Sequence, residues 1–421
     1  MAHKRLAAEP VDPSLLRQPL KFEFSGRTAS NRILKASMTE RLSTWDPNKF
    51  EARGIPTTEL TNVYKRWGEG GFGVILTGNI MIEYDHIEAA GNLIIPQNSP
   101  FSGERFEAFK TLAEVSKAHG SLVMAQLNHP GRQAASYCQS QPMSASDVQL
   151  DGEVMGKFKK PRPMVQADFK AVIDEFTHAA QYCYKAGFDG VELHGAHGYL
   201  LAQFISQTTN KRADKYGGSI VNRARIIFEI ADAIRDRIKD PSFCLGIKMN
   251  SVEFQQENIS AENCKLLSDK SQSTKKREIF FQNFADMIIP GLKKTKVYVT
   301  GGLRTTQAMV KALGVVDGVG IARPAANEFD LAKKLLRGNV QSTVDNLISD
   351  EDFGLSTIAA GSQMRLVGRD KQPLDLSRED HREAFDKSLQ QWKEEMAHNG
   401  DNSKFGFVDI ISITLKPFGK A

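Results

Sequence analysis

The sequence predicts an α/β protein whose core is a (β/α)8 barrel, and three observations predict it. Short apolar runs alternate with stretches of helical periodicity from about residue 33 to residue 337, the pattern of a parallel sheet with crossover helices. The chain of 421 residues is long enough for such a barrel with insertions. No GxGxxG follows an early strand, so the doubly wound alternative lacks its usual phosphate-binding turn.

Residues 1–19 read as an irregular arm closed by proline turns. The first strand is expected at 33–38 (ILKASM), followed by a helix over 58–68 that opens on Thr and stops at Gly. The run GVILT at 73–77 is the second strand, 104–119 a helix stopped by Gly120, and LVMAQL at 122–127 the third strand. Residues 130–165, rich in Gln, Ser, Pro and Gly, form a long excursion of the kind that is often functional. A helix over 168–187 repeats Phe169, Val172, Ile173, Phe176, Ala180 and Cys183 at helical spacing and leads into a fourth strand at 188–193. Helix 223–239 feeds a fifth strand at 244–249, and later strands at 297–300 and 317–321 are followed by helices over 305–313 and 330–337.

Between Met249 and Val297 the pattern changes: the start of a helix at 260–267, the polar SDKSQSTKKRE, and a helix over 277–289 follow with no apolar run between them. Seven strands are therefore counted, and the sixth strand–helix unit of the barrel is expected to be missing near residues 267–271, as an internal deletion from an alternative transcript or a gene-model error would leave it. A barrel short of one strand has two unpaired parallel edges. The barrel is assigned to residues 16–347, and 348–421 to a C-terminal extension: a linker, an amphipathic helix over 378–397, a polar NGDNS turn and a short apolar end.

The excess of 55 Lys and Arg over 50 Asp and Glu is small and spread along the chain, which argues against a nucleic-acid footprint. The 4 cysteines, Cys138, Cys183, Cys244 and Cys264, form no CxxC pair, so neither a disulfide framework nor a metal or iron–sulfur centre is expected, and a reducing compartment fits. No apolar run is long enough to span a bilayer. A soluble, cytoplasmic protein with no membrane contact is the expectation.

The candidate chemistry gathers at strand ends, the ligand-facing rim of a parallel barrel. His194 and His197 stand three apart just past the fourth strand, where both could donate to one substrate oxygen, with Tyr199 as a proton source. The same HxxH also reads as a metal-ligand pair without an evident third ligand, or as two imidazoles satisfied by local backbone. Gly301 and Gly302 end one late strand and Arg323 follows the next, the position of a barrel phosphate site, although tight turns and a surface arginine give the same residues. Lys248, inside the strand CLGIKM, needs an anionic partner if buried, or snorkels from an edge. Gln126 ends the third strand as a donor and acceptor, or as a plain cap.

Taken in order, SMT (37–39), LTGN (76–79), AQLNHPGRQ (125–133), ELHGAHGYLLAQF (192–204), NKRADKYGGS (210–219), VTGG (299–302) and GIARP (320–324) resemble the old yellow enzyme family of NADH:flavin oxidoreductases, over residues 16 to 337. HGAHGYLLAQF followed by NKRADKYGGS is the specific part. The resemblance implies non-covalent FMN as cofactor and NADH or NADPH as reductant. It places Ser37, Met38 and Thr39 beside the flavin, Thr39 at the C4 oxygen, Gly78 beside the ring, Gln126 at the pyrimidine edge and Lys248 near N1 and O2. Gly301, Gly302, Ala322 and Arg323 would hold the phosphate. His194 and His197 would hold the substrate oxygen, and Tyr199 would protonate the carbon α to it. Ser37, Lys248 and Ala322 depart from the proline, arginine and glycine frequent in the family, and Lys for Arg loses the planar fork.

The implied reaction is ping-pong hydride transfer from nicotinamide through flavin to the β carbon of an α,β-unsaturated carbonyl or similar small acceptor. An NAD(P)H oxidase or quinone reductase is the alternative enzyme. A barrel that has lost FMN through the deletion is the non-catalytic one. The extension after Asp350 has the length to cover the barrel or reach a second subunit, so a homo-oligomer stays open.

Overall fold

The computed structural model describes residues 3–150, 158–250 and 291–419. Seven parallel strands make up its central sheet: β1 (Ile33–Lys35), β2 (Val74–Met81), β3 (Leu122–Asn128), β4 (Gly190–Gly195), β5 (Cys244–Met249), β6 (Tyr298–Thr300) and β7 (Gly318–Ile321). They run in the order β5-β4-β3-β2-β1-β7-β6, each pair parallel, with the short strand Leu93–Ile94 added to β2. Every strand expected from the apolar runs is present. The two ends of the path are β5 and β6, the neighbours of the expected gap, and neither has a second partner strand among the described residues. Residues 267–271, and with them the expectation of a missing sixth unit, lie outside the described residues.

Strand alternation sets what faces the barrel axis. Leu34, Val74 and Leu76 form an inner cluster with Leu122, Met124 and Tyr298, sealed below by Leu20 and Ala29 of the short hairpin Leu20–Lys21 and Thr28–Ala29. Ile33, Ile75, Val123, Val191 and Val319 point the other way, into the layer of helices. Continuing the inner column upward by steps of two gives Gln126 on β3, Glu192 and His194 on β4, and Lys248 on β5. The axis is therefore apolar at the bottom and polar at the C-terminal rim.

The helices form for ordinary reasons. In α1 (Thr58–Glu69), Thr57 caps the N-terminus by accepting from the Leu60 N–H, and Leu60, Val63, Tyr64 and Trp67 bury one stripe. α2 (Glu104–Lys117) and α3 (Gln166–Lys185) follow β2 and the excursion. After the one-and-a-half-turn α4 (Leu200–Ile205), α5 (Ile220–Arg237) starts three residues before the predicted 223, because Ser219 caps it on the Asn222 N–H.

The extension holds more structure than the sequence suggested. The segment read as a linker contains α6 (Phe353–Gly368), ahead of α7 (Glu379–Ala397). In α6 a continuous run from Ala359 to Met364 is buried, so no polar stripe marks it as amphipathic. Gly361 sits against the Phe407 ring and Gly368 against the Glu59 backbone, close approaches that a side chain would block. Arg365 and Arg369 both pair with Asp409, at 2.8 and 2.6 Å, which ties the end of the chain to α6, and Arg369 also pairs with Glu59 of α1 (3.1 Å), which ties α6 to the barrel. No helix among the described residues is long and apolar enough to cross a membrane.

Candidate active site

The rim of β4 carries the three predicted catalytic side chains. His194 lies within the strand, not beyond it, since its parallel register with Lys248 of β5 keeps the backbone extended through Gly195. His197 then takes φ of +56° and Gly198 +73°, a left-handed pair that turns the chain back. Two bonds hold the histidine there: its N–H donates to Asn250 Oδ1 (3.2 Å) and its carbonyl accepts from Gln133 Nε2 (2.9 Å). Tyr199 follows as the N-cap residue of α4. The result is three rings in mutual contact: His194 to Tyr199 at 4.8 Å, His194 to His197 at 5.1 Å and His197 to Tyr199 at 6.4 Å between centroids.

Their protonation follows from their surroundings. Burial, then the charge of Lys248, pushes the His194 imidazole well below its ordinary range. The same two causes, burial first, lower His197. His194 Nδ1 accepts the Ala196 N–H (3.3 Å), so the proton of the neutral ring sits on Nε2. Burial and the charge of Glu88 raise the Tyr199 phenol, whose hydroxyl bonds to Asn79. The site thus offers neutral imidazole donors and a phenol that keeps its proton.

Beside them the axis carries a polar ladder. Ser37 donates to Gln126 Oε1 (2.6 Å), and Gln126 Nε2 donates to Glu192 Oε1 (2.6 Å). Glu192 and Lys248 oppose each other's desolvation, but burial dominates both, pushing the carboxyl up and the ammonium down. Glu192 is a residue the sequence reading missed; as a charge inside an apolar strand it gives the same signal that singled out Lys248. In β2 the register with β3 shifts between Leu76 and Asn79, and Thr77 Oγ1 fills the gap by accepting the Gln126 N–H (2.9 Å). Gly78 lies in this bulge, where a Cβ would meet the Met38 carbonyl and the Glu40 carboxylate.

The other end of the rim is built by β6 and β7. Gly301 and Gly302 have φ of +124° and +70° with open space above them. Ala322 opens the short turn of helix that follows, accepting the Ala325 N–H (2.8 Å). Arg323 donates to Ser356 of α6 and stands 3.9 Å from Asp350, and Asp350 pairs more closely with Arg304 (2.6 Å). Arg304, two residues past the glycine pair, is a second cation that the sequence reading passed over.

FMN requires anion donors at its phosphate, a cation and amide at its pyrimidine edge, and close backbone at the ring. Arg304 and Arg323 beside the uncrowded Gly301–Gly302 turn, Gln126 and Lys248 on the inner column, and Gly78 without a side chain offer groups of these kinds at β6–β7, β3–β5 and β2. The residues present fit the group.

Among the described residues, Glu83, His86 and His129 are the group whose ligand atoms lie within metal-binding reach, 4.8 Å of one another. His129 Nδ1 accepts the Gly131 N–H (3.0 Å), which leaves the proton on Nε2, 3.8 Å from the Glu83 carboxylate, where a metal would need a bare nitrogen. A hydrogen-bonded charge cluster describes it better. Burial works against the charges, but Asp85 and Glu83 hold the His86 imidazolium up to about 9. Burial likewise opposes the Glu83 charge, but the hydrogen bond from His86 holds that carboxyl down at about 2. Because the folded His86 value lies above the ordinary 6.5, its contribution to stability is complete below pH 6.5 and lost as pH rises through about 9. His86→Gln is expected to cost about 3 kcal/mol at pH 6 and much less at pH 10 in chemical denaturation. An equal cost at both would show that His86 carries no charge.

Residues 16–334 match the sequence profile of the NADH:flavin oxidoreductase / NADH oxidase family. A protein of Aspergillus parasiticus described as "NADH-dependent flavin oxidoreductase nadA" is 44% identical over 426 residues, covering 95% of this chain and 96% of that one. Among solved structures, morphinone reductase superposes with a TM-score of 0.63 at 21% identity, over 78% of this chain and 91% of its own. The old yellow enzyme homologue from Zymomonas mobilis gives 0.61 at 23% identity, over 78% and 94%. With its parallel barrel sheet and its flavin-compatible rim, the chain belongs to the NADH:flavin oxidoreductase / NADH oxidase family, the old yellow enzyme family of FMN-dependent, NAD(P)H-reduced oxidoreductases.

Proposed function

We propose that the protein is an ene-reductase that reduces the carbon–carbon double bond of a small α,β-unsaturated carbonyl compound. The observation that carries this reading is the ring triad of His194, His197 and Tyr199: two neutral imidazoles and a protonated phenol, with centroids no more than 6.4 Å apart at the end of β4. FMN, when bound, would supply the hydride chemistry that links NAD(P)H to the acceptor. His194, through Nε2–H, and His197 hold the carbonyl oxygen and draw negative charge onto it, which makes the β carbon electrophilic. Tyr199, held by Asn79, gives its proton to the carbon α to the carbonyl. Ser37 and Gln126 would hold one edge of the cofactor, with Lys248 supplying positive charge there, Thr39 and Met38 would lie beside the ring with Gly78, and Gly301, Gly302, Ala322 and Arg323 would hold the phosphate.

The test uses the full chain. Purified protein should show bound flavin absorbance, or regain it on adding FMN, and should oxidise NADH faster with a cyclic enone than with oxygen or a quinone. Faster turnover with oxygen or a quinone would assign it as an oxidase or quinone reductase. No flavin under any condition would overturn the reading altogether.

A further inference from the structure

Strand β2 carries one extra residue, and it decides which side chain meets Tyr199. Leu76 pairs with Met124 and Asn79 with Gln126, so β2 advances three residues where β3 advances two. Leu76 and Met124 face the barrel axis, and steps of two from Leu76 would point Gly78 inward and turn Asn79 out to the helices. The bulge reverses this, so Asn79 shares the face of Gln126 and is buried there. Three buried side chains hold the bulge in place. Lys35 donates Nζ to the Leu76 carbonyl (2.9 Å), with its ammonium 3.9 Å over the Trp67 ring. Glu40 Oε1 accepts the Gly78 N–H (2.8 Å), which the Tyr64 hydroxyl also accepts (2.9 Å).

Within the axis Asn79 is oriented by Asn128, which lies on the same face of β3 as Gln126. Asn128 Nδ2 donates to Asn79 Oδ1 (3.3 Å). With its oxygen engaged, Asn79 has its amide N–H groups left for the Tyr199 hydroxyl, to which it is bonded. Turning both amides over would leave the buried Asn128 nitrogen without an acceptor, whereas the present arrangement orphans only Asn128 Oδ1. The Tyr199 oxygen therefore receives a hydrogen bond from Asn79, and its own proton stays free to be given away. We propose that Asn79 is a positioning residue for Tyr199, swung to it by the β2 bulge, whose amide N–H fixes the phenol oxygen and stabilises the negative charge left there when the proton goes to the acceptor. The inference rests on the reading of Tyr199 as proton donor given above. In that step the Tyr199 O–H bond breaks and a C–H bond forms at the carbon α to the carbonyl. The electron pair of the O–H bond stays on the phenol oxygen until a proton from water restores it. Burial and the Glu88 carboxylate oppose that charge. The Arg41 guanidinium favours it, but is itself paired with Glu88 and lies 4.8 Å over the Phe407 ring of the C-terminal extension.

A double-mutant cycle on the flavin-loaded full chain, read by rapid mixing, tests this. Asn79→Leu, of similar volume but without the N–H, should slow oxidation of the reduced enzyme by cyclohexenone about 10- to 100-fold, the range for one hydrogen bond to a charged group, and leave reduction by NADH within about twofold. In a Tyr199→Phe background the same change should matter less than about threefold, because no phenol oxygen is left to receive the bond. A second readout needs no turnover: the unfolding equilibrium in denaturant should show the two side chains coupled by about fivefold. Equal slowing in both backgrounds, the mark of a purely structural defect, would overturn the proposal, as would no slowing in the wild-type background or additive unfolding equilibria. Should Asn79→Leu fail to fold, Asn128→Leu carries the same cycle, since it frees the Asn79 amide to turn its oxygen to the phenol proton. Oxidation by cyclohexenone should then slow about tenfold, and less than about twofold with Tyr199→Phe; no loss, or an equal loss in both, overturns the proposal. If Tyr199→Phe itself leaves oxidation by the enone normal, the proton-donor reading falls and this proposal with it. If Tyr199→Phe slows that step and neither asparagine matters, this proposal falls alone.

Discussion

Tyr199→Phe is expected to slow oxidation of the reduced enzyme by an enone by about 100- to 10,000-fold, the range for loss of a positioned general acid, while reduction by NADH stays within about twofold. The asymmetry follows from where the hydroxyl acts. Phenylalanine keeps the ring that packs at 4.8 Å on His194 and loses only the hydroxyl and its bond to Asn79. Substrate binding should therefore change little, and the defect should sit in kcat and not in KM. Because burial and Glu88 raise the phenol well above its ordinary range, the acid stays protonated throughout the neutral and mildly alkaline region. The oxidative rate should show no loss from tyrosine ionisation up to about pH 9. Rapid-mixing kinetics of the two half-reactions decide the matter: if both run normally, Tyr199 is not the acid.

His194→Ala should lower kcat/KM for enones by about 100- to 1,000-fold, the cost of removing one preorganised donor to a developing oxyanion. Here both binding and chemistry suffer, because the donor touches the carbonyl in the ground state as well as in the transition state. His194→Asn, which can place an amide N–H near the former Nε2, should recover part of the loss. With Lys248 across the strand pair and the ring buried, the imidazole is neutral over the whole working range, so no break near pH 6.5 belongs to it. A wild-type pH profile with such a break, absent in His194→Asn, would show that the ring works as imidazolium and would sink the neutral-donor mechanism.

How much of this was legible in the sequence differs by element. The seven strands could be read because each buries a short apolar run whose period and length are local properties. The ring triad of His194, His197 and Tyr199 could be read as a candidate site because three chemically capable residues end one of those strands. α6 could not, since its unbroken buried run from Ala359 to Met364, which includes Ser362 and Gln363, carries no alternation of apolar and solvent-facing positions to reveal it. Nor could the Arg41–Glu88 pair or its Phe407 cover, whose members come from two early loops and the far end of the chain. Nor could the cluster of Glu83, His86 and His129, which forms only because the fold sets His129, just past β3, beside the loop after β2.

The sequence by itself determined which residues stand at the rim of a parallel barrel and the family they mark, because strand ends and motif order are written in one dimension. Only the tertiary structure decided what those residues are chemically. Lys248 and burial make His194 a neutral donor, the Ala196 N–H chooses its tautomer, and the β2 bulge brings Asn79 to the Tyr199 hydroxyl. Charge and tautomer depend on desolvation and on partners a few ångströms away, and both are set when distant segments pack together.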